Sequence, residues 1–322
     1  MTKPEKILYV DDEAMALKYF ERLVSPLAPV LTAASVEAGK AMLRAHGDEI
    51  AVLITDQRMP GAYGNELLRH ARDHHPAMVR MLTTAYSELG EAIEAINSGE
   101  IYRYITKPWD LENLRADLRN ALELSSLRSE RDEMLREKLA VQQQQLLASR
   151  AAQLATVCAG FVRVDYERGL HAFLGAAAAA GCAAPSIDWR AMDHADLMQS
   201  EAQRGVAIGQ ALAAWQPRFG QLSGATEAAA ALAQALPSQV ALQADGGLVL
   251  NDRSLLTWPL EGAAGAKPDE AQVAWLAWLL ASGLAVRVEP AEAVFNVRIG
   301  AAAEAPPANW LAGDIEDLFQ AL

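Results

Sequence analysis

Ala51-Val52-Leu53-Ile54-Thr55-Asp56 is the stretch that decides the fold of the N-terminal part of this chain, because an apolar run ends there on a carboxylate. Three other apolar runs end on polar groups in the same way: Ile7–Val10 before Asp11 and Asp12, Met81–Thr83 before Thr84, and Tyr104–Thr106 before Lys107. Such runs are typical of strands buried on both faces of a parallel sheet. The carboxyl ends of these strands meet at one edge, so the pattern brings three carboxylates, a hydroxyl and an ammonium together.

These side chains suit one kind of chemistry. Three crowded carboxylates would repel one another unless a divalent cation neutralised them. Mg2+ fits, because it binds through a few carboxylates and leaves room for phosphoryl oxygens. Asp56, nearest the centre, can then act as a nucleophile toward phosphorus, while Lys107 offsets the charge of the transferred group and Thr84 donates a hydrogen bond to it.

Residues 1–123 resemble the receiver domain of a two-component response regulator. The matching positions are Asp11-Asp12, Asp56, Met59-Pro60-Gly61, Gly64, Thr84-Ala85 and Lys107-Pro108. The resemblance implies an α/β fold, a flavodoxin-like, doubly wound sheet of five parallel strands. A lone Asp after a strand is usually a turn residue or a helix cap, and a lone Lys before Pro is usually solvated. The order and spacing of the whole set favour the receiver domain.

The same resemblance implies roles for individual residues. Asp56 would accept a phosphoryl group from a histidine kinase or a phosphotransfer protein. The ligands of Mg2+ would be Asp11, Asp12, Asp56 and the backbone carbonyl of Arg58. Thr84 and Lys107 would sense the phosphoryl group, and Tyr104 would act as the switch aromatic, although an aromatic on a central strand is more often part of the core. The Lys107-Pro108 bond is expected to be cis, which X-Pro bonds tolerate.

Length and composition limit the number of domains and the kinds of partner that the rest of the chain can have. At 322 residues it is long enough for about two domains. Residues 151–322 carry nine Lys or Arg against eighteen Asp or Glu, within a net charge of -13. A DNA-binding domain would present a basic face, so nucleic acid is not expected as a partner. Two cysteines without a CxxC pattern, no signal peptide and no membrane-spanning apolar stretch predict a cytoplasmic protein.

A long helical signal runs from Leu111 to about Arg150, where good helix formers dominate and Gly and Pro are absent. A heptad frame gives two seam positions, which hold Leu111, Leu118, Leu139 and Leu146, and Leu114, Ala121 and Leu135. Polar residues interrupt this seam, as in a weak or regulated coiled coil. We expect 111–150 to be a coiled-coil linker that overlaps the last receiver helix and forms a homodimer. The alternative is one amphipathic helix packed on its own domain.

Residues 151–322 are expected to form an α+β output domain, a helix pair followed by a small mixed sheet. Helical patterns cover Ala151–Ala180, Met192–Phe219, Ala225–Leu236 and Asp269–Leu280. Strand patterns cover Val240–Leu242, Leu248–Leu250, Leu255–Leu260, Leu284–Val288 and Val294–Ile299. The Trp residues of this region would anchor its core or an interface; they are Trp189, Trp215, Trp258, Trp275, Trp278 and Trp310.

The order of these elements is similar to the dimerisation and ATP-binding region of histidine kinases. The residues of kinase chemistry differ, because His171 is followed by Ala172 rather than an acid, and no asparagine-rich helix or DxGxG loop is found. A degenerate kinase that signals by binding is therefore expected. His194 is interpreted as part of a helix cap, because Asp193, His194 and Asp196 cannot share one helical face as metal ligands.

These observations predict a response regulator that accepts a phosphoryl group on Asp56. It would signal through a kinase-like interaction domain with no DNA binding, and with no enzyme activity beyond the receiver's own phosphorylation and dephosphorylation. Two alternatives stay open. One is a divergent hybrid histidine kinase or phosphotransferase that uses His171, although a lone His on a helix is more often solvated. The other is a transcription factor, against which the acidic C-terminal half argues.

Overall fold

The computed structural model describes residues 4–85, 101–161, 165–185, 187, 192–220, 222, 224–302 and 304–321. The chain divides into two compact units, Met1–Glu137 and Lys138–Leu322. The domain bounds expected from the sequence, 1–123, 111–150 and 151–322, stay predictions. Within the described ranges, no helix combines the length and the apolar character needed to cross a bilayer.

The first unit alternates strands and helices. Its strands are β1 (Lys6–Val10), β2 (Val30–Ala33), β3 (Ile50–Asp56), β4 (Arg58–Met59), β5 (Ala62–Tyr63), β6 (Val79–Ala85) and β7 (Arg103–Lys107). Its helices are α1 (Ala14–Val24), α2 (Val36–His46), α3 (Gly64–His74) and the start of α4 (Leu111–Phe161). The long strands form a parallel sheet in the order β2-β1-β3-β6-β7. This confirms the predicted five-stranded, flavodoxin-like fold.

Alternate residues of the central strands serve the two faces of this sheet, as strand geometry requires. Leu8 and Leu53 belong to the apolar cluster beneath α2 and α3. Ile7 and Ile54 belong to the cluster beneath α1 and the first turns of α4. Because both faces are covered, β3 is buried from Ile50 to Thr55, and its apolar run shows no alternation.

The helix α4 is continuous from Leu111 to Phe161, so the helical signal extends past Arg150. Its first turns place part of the predicted seam in the core of the first unit: Leu114, Leu118 and Ala121. Its last turns place other residues in the core of the second unit: Leu147, Ala151, Leu154 and Cys158. These first seam positions therefore pack on their own unit, as the alternative of a helix packed on its own domain requires.

The second unit is α+β, as predicted. After the end of α4, its helices are α5 (Tyr166–Ala179), α6 (His194–Phe219), α7 (Ala225–Ala235), α8 (Ser254–Glu261), α9 (Glu270–Ser282) and α10 (Trp310–Gln320). Its strands are β8 (Val240–Leu242), β9 (Leu248–Leu250), β10 (Leu284–Ala291) and β11 (Val294–Ala302). They form an antiparallel sheet in the order β10-β11-β9-β8, so the expected mixed sheet is wrong, because every pair of neighbouring strands runs in opposite directions.

The helix α9 lies at the centre of the second core. Trp275 and Trp278 stack there with ring centroids 5.2 Å apart, and Trp278 Nε1 donates to the carbonyl of Ala228 at 2.8 Å. Gly169 of α5 permits close packing, because a Cβ at this position would lie 2.9 Å from the backbone of Leu280. The predicted anchoring role holds for the other described Trp residues, which belong to this core or pack against it: Trp215, Trp258 and Trp310. Trp189 lies outside the described residues.

Three elements differ from the sequence expectations. Leu255–Leu260, expected as a strand, lies in α8, because the short apolar run is compatible with a buried helix as well as with a strand. The expected helix Ala151–Ala180 is two helices, since α4 ends at Phe161 and α5 begins at Tyr166. The helix α10 had no counterpart among the expected elements.

Two buried arginines explain why α8 can end inside the second unit. Arg150, which is 1% exposed, binds both carboxylate oxygens of Glu201 through Nε and Nη2 at 2.8 and 2.6 Å. Arg204 lies nearby, and its burial lowers its pKa to about 10. Four carbonyls at the end of α8 accept hydrogen bonds from this pair of arginines: Leu260 and Gly262 from Arg150, Trp258 and Pro259 from Arg204. The last carbonyls of a helix have no partner within it, so these bonds satisfy those of Pro259 and Leu260, whereas the Trp258 carbonyl also accepts from the N–H of Gly262.

Arg150→Ala is expected to destabilise the second unit by about 3–5 kcal/mol, because Glu201 would remain as a buried charge without its partner. Urea unfolding followed by Trp fluorescence and circular dichroism measures this change. The matched control is Arg131→Ala, on the same helix, where the side chain is 65% exposed and pairs with Asp132. The control should have little effect. Equal, small effects of both substitutions would contradict the role given to Arg150.

Candidate functional site

Lys107 links two carboxylates at the carboxyl edge of the parallel sheet. Its Nζ lies 2.8 Å from Asp11 Oδ2 and 2.7 Å from Asp56 Oδ1. Asp11 is fully buried, whereas the side chains of Asp56 and Lys107 are 16% and 29% exposed. Asp11 follows β1, Asp56 ends β3 and Lys107 ends β7, so the strand order of the sheet brings these predicted residues together.

The charges of this edge do not cancel. Burial alone would lower the pKa of Lys107, but its hydrogen bonds to Asp11 and Asp56 outweigh burial and raise the pKa above its ordinary value. The ammonium therefore offsets one of the two carboxylate charges. Asp12, which is exposed beside Asp11, adds a further negative charge. The edge thus keeps a net negative charge that attracts a cation.

Tyr9 is a residue of this site that the sequence analysis missed. Its hydroxyl donates to Asp11 Oδ2, and the backbone N–H of Glu13 donates to Asp11 Oδ1 at 2.9 Å. The Tyr9 ring stacks on Phe20, with centroids 4.2 Å apart, and meets Trp109 edge-on at 5.8 Å. Burial, together with the Asp11 carboxylate, raises the pKa of Tyr9, so the phenol stays a donor. Its only signal in the sequence is its position two residues before Asp11, on the same side of β1.

Two adjacent threonines at the end of β6 have different partners. Thr83, the neighbour of Asp56 in the β3–β6 ladder, donates through Oγ1 to Asp56 Oδ1 at 3.2 Å. Thr84 donates through Oγ1 to Gln57 Oε1 at 2.7 Å, and both of these side chains are 1% exposed. The contact of Thr83 with Asp56 was not expected from the sequence. The role of Thr84 toward a phosphoryl group stays a prediction.

Glycine closes the turn that follows Asp56. The backbone N–H of Gly64 donates to the Gln57 carbonyl at 3.0 Å. A Cβ on Gly64 would lie 2.1 Å from the Asp56 carbonyl oxygen, so a larger residue would push this backbone apart. Gly61, in the β4–β5 turn, has a φ of 82°. Arg58 is exposed in β4, and the role of its carbonyl as a metal ligand stays a prediction.

Tyr104 and Pro108 complete the predicted set. Tyr104 is partly buried in β7 and packs against the cluster that contains Leu53 and Leu82. This packing agrees with the alternative of a core aromatic, and the switch role stays a prediction. The Lys107-Pro108 bond is cis, as the sequence analysis expects.

The oxygen donors of this edge fit Mg2+. Within the described residues, no three His, Cys, Asp or Glu side chains form a ready metal-binding group. Mg2+ does not require one, because it binds through one or two carboxylates and keeps several waters. Asp11 and Asp56 already share a single ammonium, so one cation can reach both carboxylates.

Comparison with known proteins identifies the first unit. Residues 7–119 match the family described as the response regulator receiver domain. The first unit is a response regulator receiver domain. The receiver domain accounts for the parallel sheet, its acidic edge and the first turns of α4.

Curated relatives match the chain over a similar length. The hydrogenase transcriptional regulatory protein HoxA of Cupriavidus necator is 33% identical over 128 residues, which are 40% of this chain and 26% of HoxA. The regulatory protein AtoC of Escherichia coli is 32% identical over 140 residues, 40% of this chain and 28% of AtoC. The chain thus spans about a quarter of the length of these relatives. A solved receiver domain protein of Clostridium thermocellum is 31% identical, with 38% of this chain and 98% of that chain covered and a TM-score of 0.37.

Lys107→Met is expected to destabilise the receiver domain by about 2 kcal/mol or more, because Asp11 would stay buried without its cation. Mg2+ should raise the Tm of this variant more than that of the wild type, since the ion replaces the lost positive charge. Thermal unfolding with and without Mg2+, followed by circular dichroism, measures both effects.

The matched control is Lys6→Met, at the other end of β1, where Lys6 pairs with the partly exposed Glu49. This control should change the Tm little and should not respond more strongly to Mg2+. A Lys107 variant that behaved like the Lys6 variant would show that the ammonium does not stabilise the acidic edge.

Proposed function

We propose that this chain is a two-component response regulator whose Asp56 accepts a phosphoryl group from a histidine kinase or a phosphotransfer protein. The observation that carries the proposal is the environment of Asp56, whose Oδ1 is held by Lys107 at 2.7 Å and by Thr83 at 3.2 Å. With Oδ1 held, Oδ2 is the oxygen that attacks phosphorus. The new O–P bond forms as the N–P bond of the donor phosphohistidine breaks, and its electron pair leaves with the imidazole.

Mg2+ belongs to this proposal. The residues that would hold the ion are Asp11, Asp12, Asp56 and, through its carbonyl, Arg58. The ion would supply positive charge at the phosphoryl oxygens. The chain's own residues prepare the site: Tyr9 and the N–H of Glu13 fix Asp11, and the Lys107 ammonium offsets charge on the transferred group.

Phosphorylation of Asp56 would change the hydrogen bonds of Thr84. In the structure its hydroxyl donates to Gln57, and in the phosphorylated domain it would donate to a phosphoryl oxygen. Tyr104, on the neighbouring strand β7, would move into the space that Thr84 leaves. This two-state element precedes α4 in the chain, and we propose that α4 carries the change to the second unit.

The second unit is proposed to bind a protein partner rather than DNA. HoxA is a transcriptional regulatory protein by name, but the chain covers only 26% of it. Residues 151–322 carry eighteen acidic against nine basic residues, a balance that opposes binding to a phosphate backbone. Helices followed by a closing hairpin, β10–β11, support a kinase-like module as the finer form of this proposal.

Asp56→Asn is expected to abolish alkali-labile labelling by acetyl phosphate in the presence of Mg2+, because a neutral amide does not attack phosphorus. Radiolabel retained on the full-length chain measures this. The matched control is Asp73→Asn on α3, whose side chain is 58% exposed, and it should label like the wild type. Persistent full labelling of the Asp56 variant would contradict the assignment of Asp56 as the phosphoacceptor.

We further propose a homodimer along the middle of α4. Three apolar side chains repeat there every seven residues and stay exposed: Leu127 at 56%, Met134 at 65% and Val141 at 50%. An interval of seven keeps one face of a helix against a partner helix. Leu135 and Leu139, which belong to the predicted seam, are also exposed at 51% and 44%. A second copy of the chain would cover this stripe.

The triple variant Leu127→Gln, Met134→Gln and Val141→Gln is expected to be monomeric, because it removes the apolar contacts of the stripe. Light scattering should give the chain mass of 34.7 kDa for this variant and twice that mass for the wild type. The matched control is Met198→Gln with Val206→Gln on α6, where both side chains are also exposed. The control should stay dimeric. A monomeric wild type, or a dimeric triple variant, would contradict this interface.

A further inference from the structure

His171 and Asp314 form a hydrogen-bonded pair between α5 and α10. His171 Nδ1 lies 2.9 Å from Asp314 Oδ1 and 2.8 Å from Oδ2. The Asp314 side chain is 7% exposed, whereas the His171 side chain is 47% exposed. Trp310, one turn before Asp314, meets the imidazole edge-on with centroids 6.0 Å apart. The imidazole therefore has a buried carboxylate on one side and solvent on the other.

The carboxylate fixes the tautomer of this ring. An ionised Asp314 only accepts, so in the neutral imidazole Nδ1 carries the hydrogen and Nε2 carries the lone pair. Both hydrogen bonds of the ring are at Nδ1, and the side chain is 47% exposed. Burial raises the pKa of the Asp314 carboxyl, and the hydrogen bond from His171 opposes this rise. The lone pair of Nε2 thus faces solvent on an oriented ring.

An imidazole held in this way is suited to nucleophilic chemistry. The carboxylate orients the ring and stabilises the positive charge that develops when Nε2 forms a bond. His194 shows the contrast. It is the first residue of α6, and its neighbours Asp193 and Asp196 form a capping box there, which confirms the helix cap expected from the sequence.

We propose that His171 is a phosphoacceptor that exchanges a phosphoryl group with an aspartyl phosphate. Nε2 attacks phosphorus, the N–P bond forms as the O–P bond breaks, and the electron pair of that bond leaves with the carboxylate. Nδ1 keeps its hydrogen toward Asp314, whose charge offsets that of the ring. In the reverse direction the carboxylate attacks and the N–P bond breaks. This inference rests on the proposed function, because a phosphorylated receiver domain is the donor.

The helix that carries His171 also offers a group for phosphoryl oxygens. Arg168 lies three residues before His171, on the same face of α5. Its Nη1 pairs with Asp165 at 3.4 Å, and its side chain is 31% exposed. A guanidinium one turn from the imidazole supplies planar donors of the kind that bind phosphate.

Labelling the full-length chain with radiolabelled acetyl phosphate and Mg2+ tests the proposal. Phosphohistidine survives alkali and hydroxylamine, whereas aspartyl phosphate does not. The wild type and the matched control His194→Gln are expected to carry both kinds of label, and His171→Gln only the alkali-labile kind. A wild type labelled at Asp56 without alkali-stable label would overturn the proposal and leave the proposed function intact.

Two variants distinguish transfer from Asp56 of another chain from transfer within one chain. Labelled His171→Gln chain serves as the phosphoryl donor, and unlabelled Asp56→Asn chain serves as the acceptor. Alkali-stable label on the acceptor shows transfer between chains. If such label forms only in the wild type, transfer occurs within one chain. Either result supports the proposal. If alkali-stable label forms neither on the acceptor chain nor in the wild type, the proposal is overturned.

If the chain takes no label at Asp56, the proposed function is contradicted, and the role of His171 needs a test that does not depend on Asp56. Phosphoramidate, which phosphorylates imidazoles directly, is then applied to the Asp56→Asn chain. His171 is expected to react at least about tenfold faster than His194, because only its ring is oriented by a carboxylate. Equal rates at the two histidines would overturn the inference independently of Asp56.

Asp314 is the positioning residue of this site. Asp314→Asn is expected to slow labelling of His171 by about tenfold or more, and Asp314→Glu to restore part of the rate, since the charge returns. Circular dichroism checks that both variants stay folded. An Asn variant with the wild-type rate would show that the pair only links α5 to α10, and would overturn the role of Asp314.

Discussion

The ammonium of Lys107 between Asp11 and Asp56 is the interaction on which the receiver domain depends. A parallel sheet ends its strands at one edge, and here those ends are acidic. A fully buried carboxylate such as Asp11 needs a positive partner and donors, and it has Lys107, Tyr9 and the N–H of Glu13. The charged groups that would take part in phosphoryl transfer therefore also stabilise one another at the ends of the strands.

The second unit solves a related problem with different groups. The apolar helix α8 ends inside the unit, and Arg150 and Arg204 donate to the carbonyls at its end, among them those of Pro259 and Leu260. Arg150 belongs to α4, and its charge is balanced by Glu201 of α6. One ionic pair thus ties three helices of this unit together.

The features that the sequence predicts well are local ones. The strands that lead to Asp11, Asp56 and Lys107 are marked by apolar runs, and the cap at Asp193 is marked by its own neighbours. Thr83 was missed because the choice between adjacent hydroxyls depends on the register of β6 against β3. The His171–Asp314 pair joins residues 143 positions apart, and α10 itself was not expected, so no local pattern could reveal it. Leu255–Leu260 was assigned to the wrong element because its length suits a buried strand or a helix.

The middle of α4 has a consequence for how the chain fluctuates. Residues 133–141 are exposed on every side, so neither core supports this stretch, and only the intrinsic propensity of its residues keeps it helical. Its backbone amides would exchange with solvent deuterium through local opening, without unfolding of either core. The buried turns at Leu114–Ala121 and Leu147–Leu154 would exchange much more slowly. Pairing with a second copy along Leu127, Met134 and Val141 would slow amide exchange in the central turns toward the rate of the buried turns. The exchange rate of the central turns therefore reports directly on association.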